Sequence, residues 1–178
     1  MTFLTAFTIV HVIISLVGIG SGSVIVFGLL TAKRLDGWTA VFLTSTLLTS
    51  LTGFGFPFGH LLPSHVVGLI SIVALGVTIF ARHRAHLTGQ WRATYAIGAV
   101  VAFYFNVFVL IVQAFQKVAA LKAMAPTQSE PPFVLTQFVV LAIFVALGIA
   151  GVRRFRPGAG RAVPASVPSR EARLRPIR

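Results

Sequence analysis

His11 is the one ionisable side chain well inside an apolar run of this chain. About eight residues, or roughly 12 Å of helix, separate it from the start of that run. A neutral imidazole at such depth can ligate haem iron, relay a proton or hydrogen-bond a quinone. An ionisable group in a lipid-length segment is a functional hypothesis by default; the alternative is a neutral histidine bonded to a Ser or Thr hydroxyl on a neighbouring helix. Asn106 and Gln113 carry amides on one stripe with Tyr95. They either bond a quinone carbonyl and line a polar cavity, or clamp their helix to its neighbours at about 1 kcal/mol or less apiece. His11, Asn106, Gln113 and Tyr95 are therefore the candidate polar pocket.

The remaining histidines carry weaker chemistry. His60 and His65 fall in a connection near a membrane interface, shallower than His11, so a paired axial ligation of haem needs a tilted helix or a dipping link. His83 and His86 have the His-x-x-His spacing that binds metal on a helical turn. Arg82 and Arg84 beside them repel a cation, and no carboxylate or cysteine completes a site. A basic loop against lipid headgroups is the simpler account, and no metal is expected.

The chain has no cysteine, no paired carboxylates, no HExxH and no Ser-His-Asp set, so hydrolysis within the membrane is disfavoured. No Asp or Glu lies inside an apolar run, which argues against a proton- or sodium-coupled transporter. Gly18-Ile19-Gly20-Ser21-Gly22 looks like a phosphate-binding loop but follows no strand. Gly18 and Gly22 instead make a GxxxG pair, expected to serve packing within the monomer more than homodimer contact.

The elements that must position these residues are helices in lipid. With 56% hydrophobic and 10% charged residues, the 178-residue chain cannot coat a soluble globule. Five apolar runs, at 3–32, 38–58, 62–81, 91–115 and 132–152, meet or approach the roughly 20 residues that cross a bilayer. Continuous runs exclude a barrel. The fold expected is all-α, an integral membrane bundle of five transmembrane helices over residues 1–155, followed by a disordered basic tail at 156–178. The first run lacks a basic leader and a cleavage site, and is expected to be retained.

Lys33 and Arg34 mark the first connection, Arg82, Arg84 and Arg92 the third, and Arg153, Arg154 and Arg156 the start of the tail. Positive-inside sorting puts these three on the cytoplasmic side and the N-terminus outside. Trp38 and Trp91 fall beside the same connections as interfacial anchors. This distribution explains the net charge of +12 without nucleic acid. Asp36-Gly37 is expected to turn and to cap the second helix. Pro57 and Pro63 bracket the second connection, and Ser129-Glu130-Pro131-Pro132 begins the fifth span with Ser129 as cap. Gln128 and Glu130 are the candidate external interface, either meeting a partner or belonging to that helix start.

At about 100° per residue, small and polar residues share one face of each run: Thr8, His11, Ser15, Gly18 and Gly22 in the first, and Ser45, Thr49 and Thr52 in the second. Ser64, Gly68 and Ser71 align in the third; Tyr95, Ala99, Ala102, Asn106 and Gln113 in the fourth; Gln137 and Gly148 in the fifth. These faces are expected to look inward, with Tyr104 serving another interface.

Three segments, Thr52-Gly53-Phe54-Gly55-Phe56-Pro57, Asn106-Val107-Phe108-Val109 and 125–133, resemble small bacterial inner-membrane proteins known only as hypothetical membrane proteins. The resemblance runs from the first span to Arg153. It implies a bacterial cytoplasmic (inner) membrane and brings no activity, cofactor or site residue.

The function expected is that of a non-enzymatic multi-pass membrane protein, an accessory or assembly subunit acting by association. Its partners are the bilayer, anionic lipids at the basic loops and tail, and a membrane-protein partner. The alternative is a small redox protein that takes haem or quinone in the external half of the bundle through His11, Asn106 and Gln113. A passive pore would need a continuous polar path along the Tyr95 stripe.

Overall fold

The computed structural model describes residues 2–56 and 63–155, with the side chains of Pro63 and Ser64 excepted. Pro57 and His60 in the second connection and the tail at 156–178 lie outside the described residues, as does the side chain of Ser64 on the third face, while Pro63 is the first residue of α3. The described residues form six helices in order: α1 (Phe3–Leu30), α2 (Asp36–Gly53), α3 (Pro63–His83), α4 (Trp91–Lys117), α5 (Ala119–Met124) and α6 (Pro131–Arg154). No strand occurs among the described residues.

Among the described residues, four helices are long and apolar enough to cross a membrane: α1, α3 from His65, α4 and α6. The eighteen residues of α2 reach about 27 Å, but Asp36 and a series of Ser and Thr dilute its apolar character, and it is not among those four. The short α5, after a break at Val118, has no counterpart in the expected elements.

Helices α1, α2, α3 and α4 form a ring in which each packs on the next and α4 closes on α1. From outside, α6 lies along α4 and α1. Its far face, with Leu135, Phe138, Val139 and Ile143, is exposed, as a lipid-facing helix requires. Every buried residue of α1 comes at or after Gly18, and those of α4 fall between Tyr95 and Phe103 apart from Phe115. The bundle is therefore tightest at the end where α1 stops and α4 starts.

Small residues cause that tightness. A Cβ on Gly22 would stand 2.5 Å from Cδ2 of Phe103, whose ring packs edge-on against Phe42 and Phe144 at centroid distances of 6.4 and 5.1 Å. A Cβ on Gly98 would stand 2.1 Å from Oγ1 of the fully buried Thr78. Close approach at these two glycines lets α1 reach α4, and α3 reach α4, with dispersion contacts that larger side chains would block.

Two local expectations are corrected. Asp36 and Gly37 make no turn; both are helical, the N-cap is Leu35, and Asp36 makes no capping bond because its carboxylate faces Arg34 and Arg82. Ser129 does not cap α6 either. The N-cap is Glu130, followed by proline in the first turn where no donor is lost.

Candidate functional site

The most heavily interlinked polar group lies at the tight end and joins four helices. Arg82, in the last turn of α3, has a side chain only 8% exposed. A cation is favoured there by the carbonyl end of the helix. One guanidinium nitrogen pairs with Asp36 at the start of α2; the other donates to the Tyr95 hydroxyl of α4 at 3.4 Å. The Tyr95 hydroxyl also lies 3.3 Å from the Thr39 hydroxyl of α2. Arg34 reaches the same Asp36 oxygen at 3.5 Å, from the exposed side. Arg92 of α4 donates to the carbonyl of Phe155 after α6, while the Phe155 ring packs on Tyr95 at 5.7 Å. The first connection, the third connection and the end of α6 are thereby tied together at one end of the bundle.

A cleft of about 560 Å³ opens between α2 and α3 beside this cluster. Arg34, Asp36, Arg82, His83 and His86 line its upper part; Leu43, Leu47 and Ile79 line its lower part. His86 and Leu87 both have positive φ, at 50° and 58°. Non-glycine residues rarely adopt that conformation. Burial of Leu87 and its amide bond to the Ala81 carbonyl hold the turn that carries His86.

His11 sits on the opposite half, facing α2. Its Nδ1 lies 2.8 Å from the Thr52 hydroxyl, and that hydroxyl donates to the Leu48 carbonyl at 2.7 Å. A carbonyl can only accept, so Thr52 gives its one proton to Leu48 and receives the bond from His11. With Thr52 donating to Leu48, the contact is that of the Nδ1–H tautomer, whose Nε2 carries the lone pair. One turn on, the Ser15 hydroxyl donates to the His11 carbonyl at 2.7 Å and lies 3.3 Å from the Thr49 hydroxyl. Phe56 packs edge-on against the His11 ring at 5.1 Å. Asn106 donates to the Thr46 hydroxyl at 2.9 Å, under Gly18, where a Cβ would come 3.2 Å from the amide nitrogen.

The four residues named from the sequence do not share a pocket. Tyr95 belongs to the Arg82 cluster. Asn106 lies eleven residues, or about 16 Å, further along α4. Gln113 is another two turns on and exposed. The stripe is real down to Asn106, but it follows the bundle axis and meets different partners at each level. Gly18 and Gly22 both pack inside the monomer, and Gly20 faces open space. Ser45, Thr49 and Thr52 face α1 as expected. Tyr104 meets Phe144 at 5.6 Å, away from Asn106.

His65 is not in a connection. It is buried in the first turns of α3, with its ring 5.4 Å from Phe54. His83 donates from Nδ1 to the Ile79 carbonyl at 3.2 Å. No group of three metal-ligating side chains occurs among the described residues.

Before α6, Gln128 donates to the Val112 carbonyl at 2.9 Å and accepts from Gln116. Glu130 receives three bonds: the amide and hydroxyl of Thr127 at 3.1 and 2.9 Å, and the Ser129 amide at 3.1 Å. Desolvation works to raise its pKa, but these bonds outweigh it and hold the carboxyl below its usual range. Both side chains thus organise the turn that starts α6.

The Arg82–Asp36 pair and its cleft were missed from the sequence, where Arg82 counted only as a loop charge. The available signal was Asp36, one of three acids in the chain, standing two residues after Arg34. No family model, curated protein or solved structure matches the chain.

Proposed function

We propose that the chain is a five-crossing membrane protein of the bacterial inner membrane, N-terminus outside and C-terminus cytoplasmic, that acts by association as an accessory or assembly subunit. One observation carries this reading: the polar side chains within the bundle bond to one another across helices, as His11 to Thr52, Ser15 to Thr49, Asn106 to Thr46 and Arg82 to Asp36 and Tyr95. Such pairs assemble a scaffold in lipid without providing a reacting centre. Support for α2 as the fifth crossing comes from its course along the bundle, from Thr39 beside Tyr95 to Thr52 beside His11.

A second reading, a haem- or quinone-interacting protein, draws support from the lone pair at His11 Nε2. That nitrogen is an acceptor or a metal ligand. It suits haem iron or the hydroxyl of a reduced quinol, and it does not suit the carbonyl of an oxidised quinone, which needs a donor.

Purification of the full chain in mild detergent separates the two. Association predicts a colourless preparation that elutes with a partner protein at fixed stoichiometry. A visible haem band, or bound quinol, that disappears in His11→Ala would overturn it in favour of the second reading.

A further inference from the structure

We propose that the cleft between α2 and α3 binds the phosphodiester headgroup of one anionic glycerophospholipid, with the upper part of an acyl chain lying along Leu43, Leu47 and Ile79. Charge, shape and access point the same way. Arg34 and Arg82 against Asp36 leave one net positive charge at the upper end, the complement of a single phosphodiester. Arg82 is fixed by its bonds to Asp36 and Tyr95, and Arg34, half exposed, is free to swing onto a ligand oxygen. His83 has Nδ1 committed to the Ile79 carbonyl, so its Nε2 can donate to a phosphodiester oxygen only as the imidazolium, the form that an adjacent anion favours. His86 is presented by a backbone in the left-handed region, a costly conformation of the kind that collects at ligand sites.

The volume of about 560 Å³ falls in the range of small-molecule sites, roughly 300–1,000 Å³. Below the charged groups the walls turn apolar within three helical turns, from Asp36 to Leu47. Exposed Ala40 and Thr44 on the rim leave the cleft open sideways, the direction from which a lipid enters. A soluble phosphate would use the upper part alone and leave the apolar part without a role.

The proposal rests on the arginine-marked end lying at headgroup level. Its test does not depend on which side of the membrane that end faces. The full chain, delipidated in mild detergent, is mixed with phosphatidylglycerol, phosphatidylcholine or inorganic phosphate and examined by native mass spectrometry. The wild-type chain should retain one phosphatidylglycerol in preference to phosphatidylcholine. Retention should fall about tenfold, the loss of roughly one charge-assisted hydrogen bond, when Arg34, His83 and His86 are all changed to Gln. Thr44→Trp, which fills the cleft from an exposed position and touches no cation, should do the same. Changing the tail residues Arg161, Arg170, Arg173, Arg175 and Arg178 to Gln should leave that one lipid in place. Equal retention in the cleft variants and wild type, or equal retention of phosphatidylcholine, overturns the proposal. Displacement of the lipid by millimolar inorganic phosphate overturns the lipid assignment in favour of a phosphate site. Unchanged elution and helical circular dichroism certify each variant's fold, and Thr44→Trp carries the test if the triple variant fails to fold.

Discussion

The guanidinium carbon of Arg82 lies 5.5 Å from the centre of the Tyr95 ring, and the same guanidinium pairs with Asp36. One buried cation thus joins α2, α3 and α4 through an ion pair, a hydrogen bond and a cation–π contact. Removing its partner leaves a charge with little access to water. Asp36→Asn should destabilise the folded protein by about 1–3 kcal/mol, with exposure of Asp36 keeping the cost below that of a fully buried pair. Tyr95→Phe, which keeps the ring but loses two hydrogen bonds, should cost less. Thermal unfolding in detergent measures both. Equal stability of Asp36→Asn and wild type would mean that the pair holds nothing together.

Gly22 and Gly20 are two residues apart and should respond oppositely to a methyl group. Gly22→Ala drives a Cβ into the Phe103 ring and should cost about 1–3 kcal/mol. Gly20→Ala meets nothing within 4 Å and should be neutral or stabilising by up to about 1 kcal/mol. Gly22→Ala combined with Phe103→Leu should recover part of the loss. Equal effects at the two glycines would contradict the close α1–α4 approach.

The hydrogen-bond order Nδ1–H to Thr52 to Leu48 calls for the Nδ1–H tautomer of His11. Nitrogen-15 spectra of histidine-labelled protein should show His11 protonated at Nδ1 and bare at Nε2. In Thr52→Val the bond is lost, and stability should drop by about 1 kcal/mol. A proton found on Nε2 instead would reverse the donor order and remove the lone pair that the haem or quinol reading needs.

Gln137 donates to the Phe108 carbonyl at 3.4 Å, and its Oε1 is the one buried side-chain oxygen or nitrogen without a partner among the described residues. An unsatisfied buried acceptor costs about 1–3 kcal/mol. Gln137→Met keeps the side-chain length and removes the polar atoms, so it should raise the unfolding temperature. A fall would show that the long bond to Phe108 outweighs the unmet acceptor.

Acid should loosen the turn before α6. The Glu130 carboxyl is held below its ordinary carboxylate range by the bonds from Thr127 and Ser129, so its folded charged form is favoured. The resulting stability is present above that ordinary range and is lost as pH falls through the lower, folded pKa. Hydrogen-exchange protection of the Thr127 and Ser129 amides should decrease over that acid range and show no such dependence in Glu130→Gln. Identical profiles in the two proteins would exclude the carboxylate as the organiser of the turn.

Much of the scaffold was legible because its rules are one-dimensional. Length and apolar continuity mark α1, α3, α4 and α6, and 100° periodicity finds the faces that carry His11, Ser15, Gly18, Thr49 and Thr52. Proline at 131 and 132 marks the start of α6. Depth along the axis was harder to read. Tyr95, Asn106 and Gln113 share a stripe, but which partner each meets depends on helix neighbours that no single segment encodes. The Arg82 cluster was hidden for the same reason. A charge next to a connection looks like sorting information until the fold brings Asp36 and Tyr95 to it from 46 and 13 residues away.

The central claim is that five crossings bring every arginine-marked end to the cytoplasmic side. The chain has no native cysteine, so single cysteines at Lys33, Gly59, Arg84 and Lys122 can each be probed with a membrane-impermeant maleimide. Gly59→Cys and Lys122→Cys should label in intact cells, and Lys33→Cys and Arg84→Cys only after permeabilisation. Labelling of Arg84→Cys in intact cells, or protection of Gly59→Cys until the cells are opened, would contradict the topology.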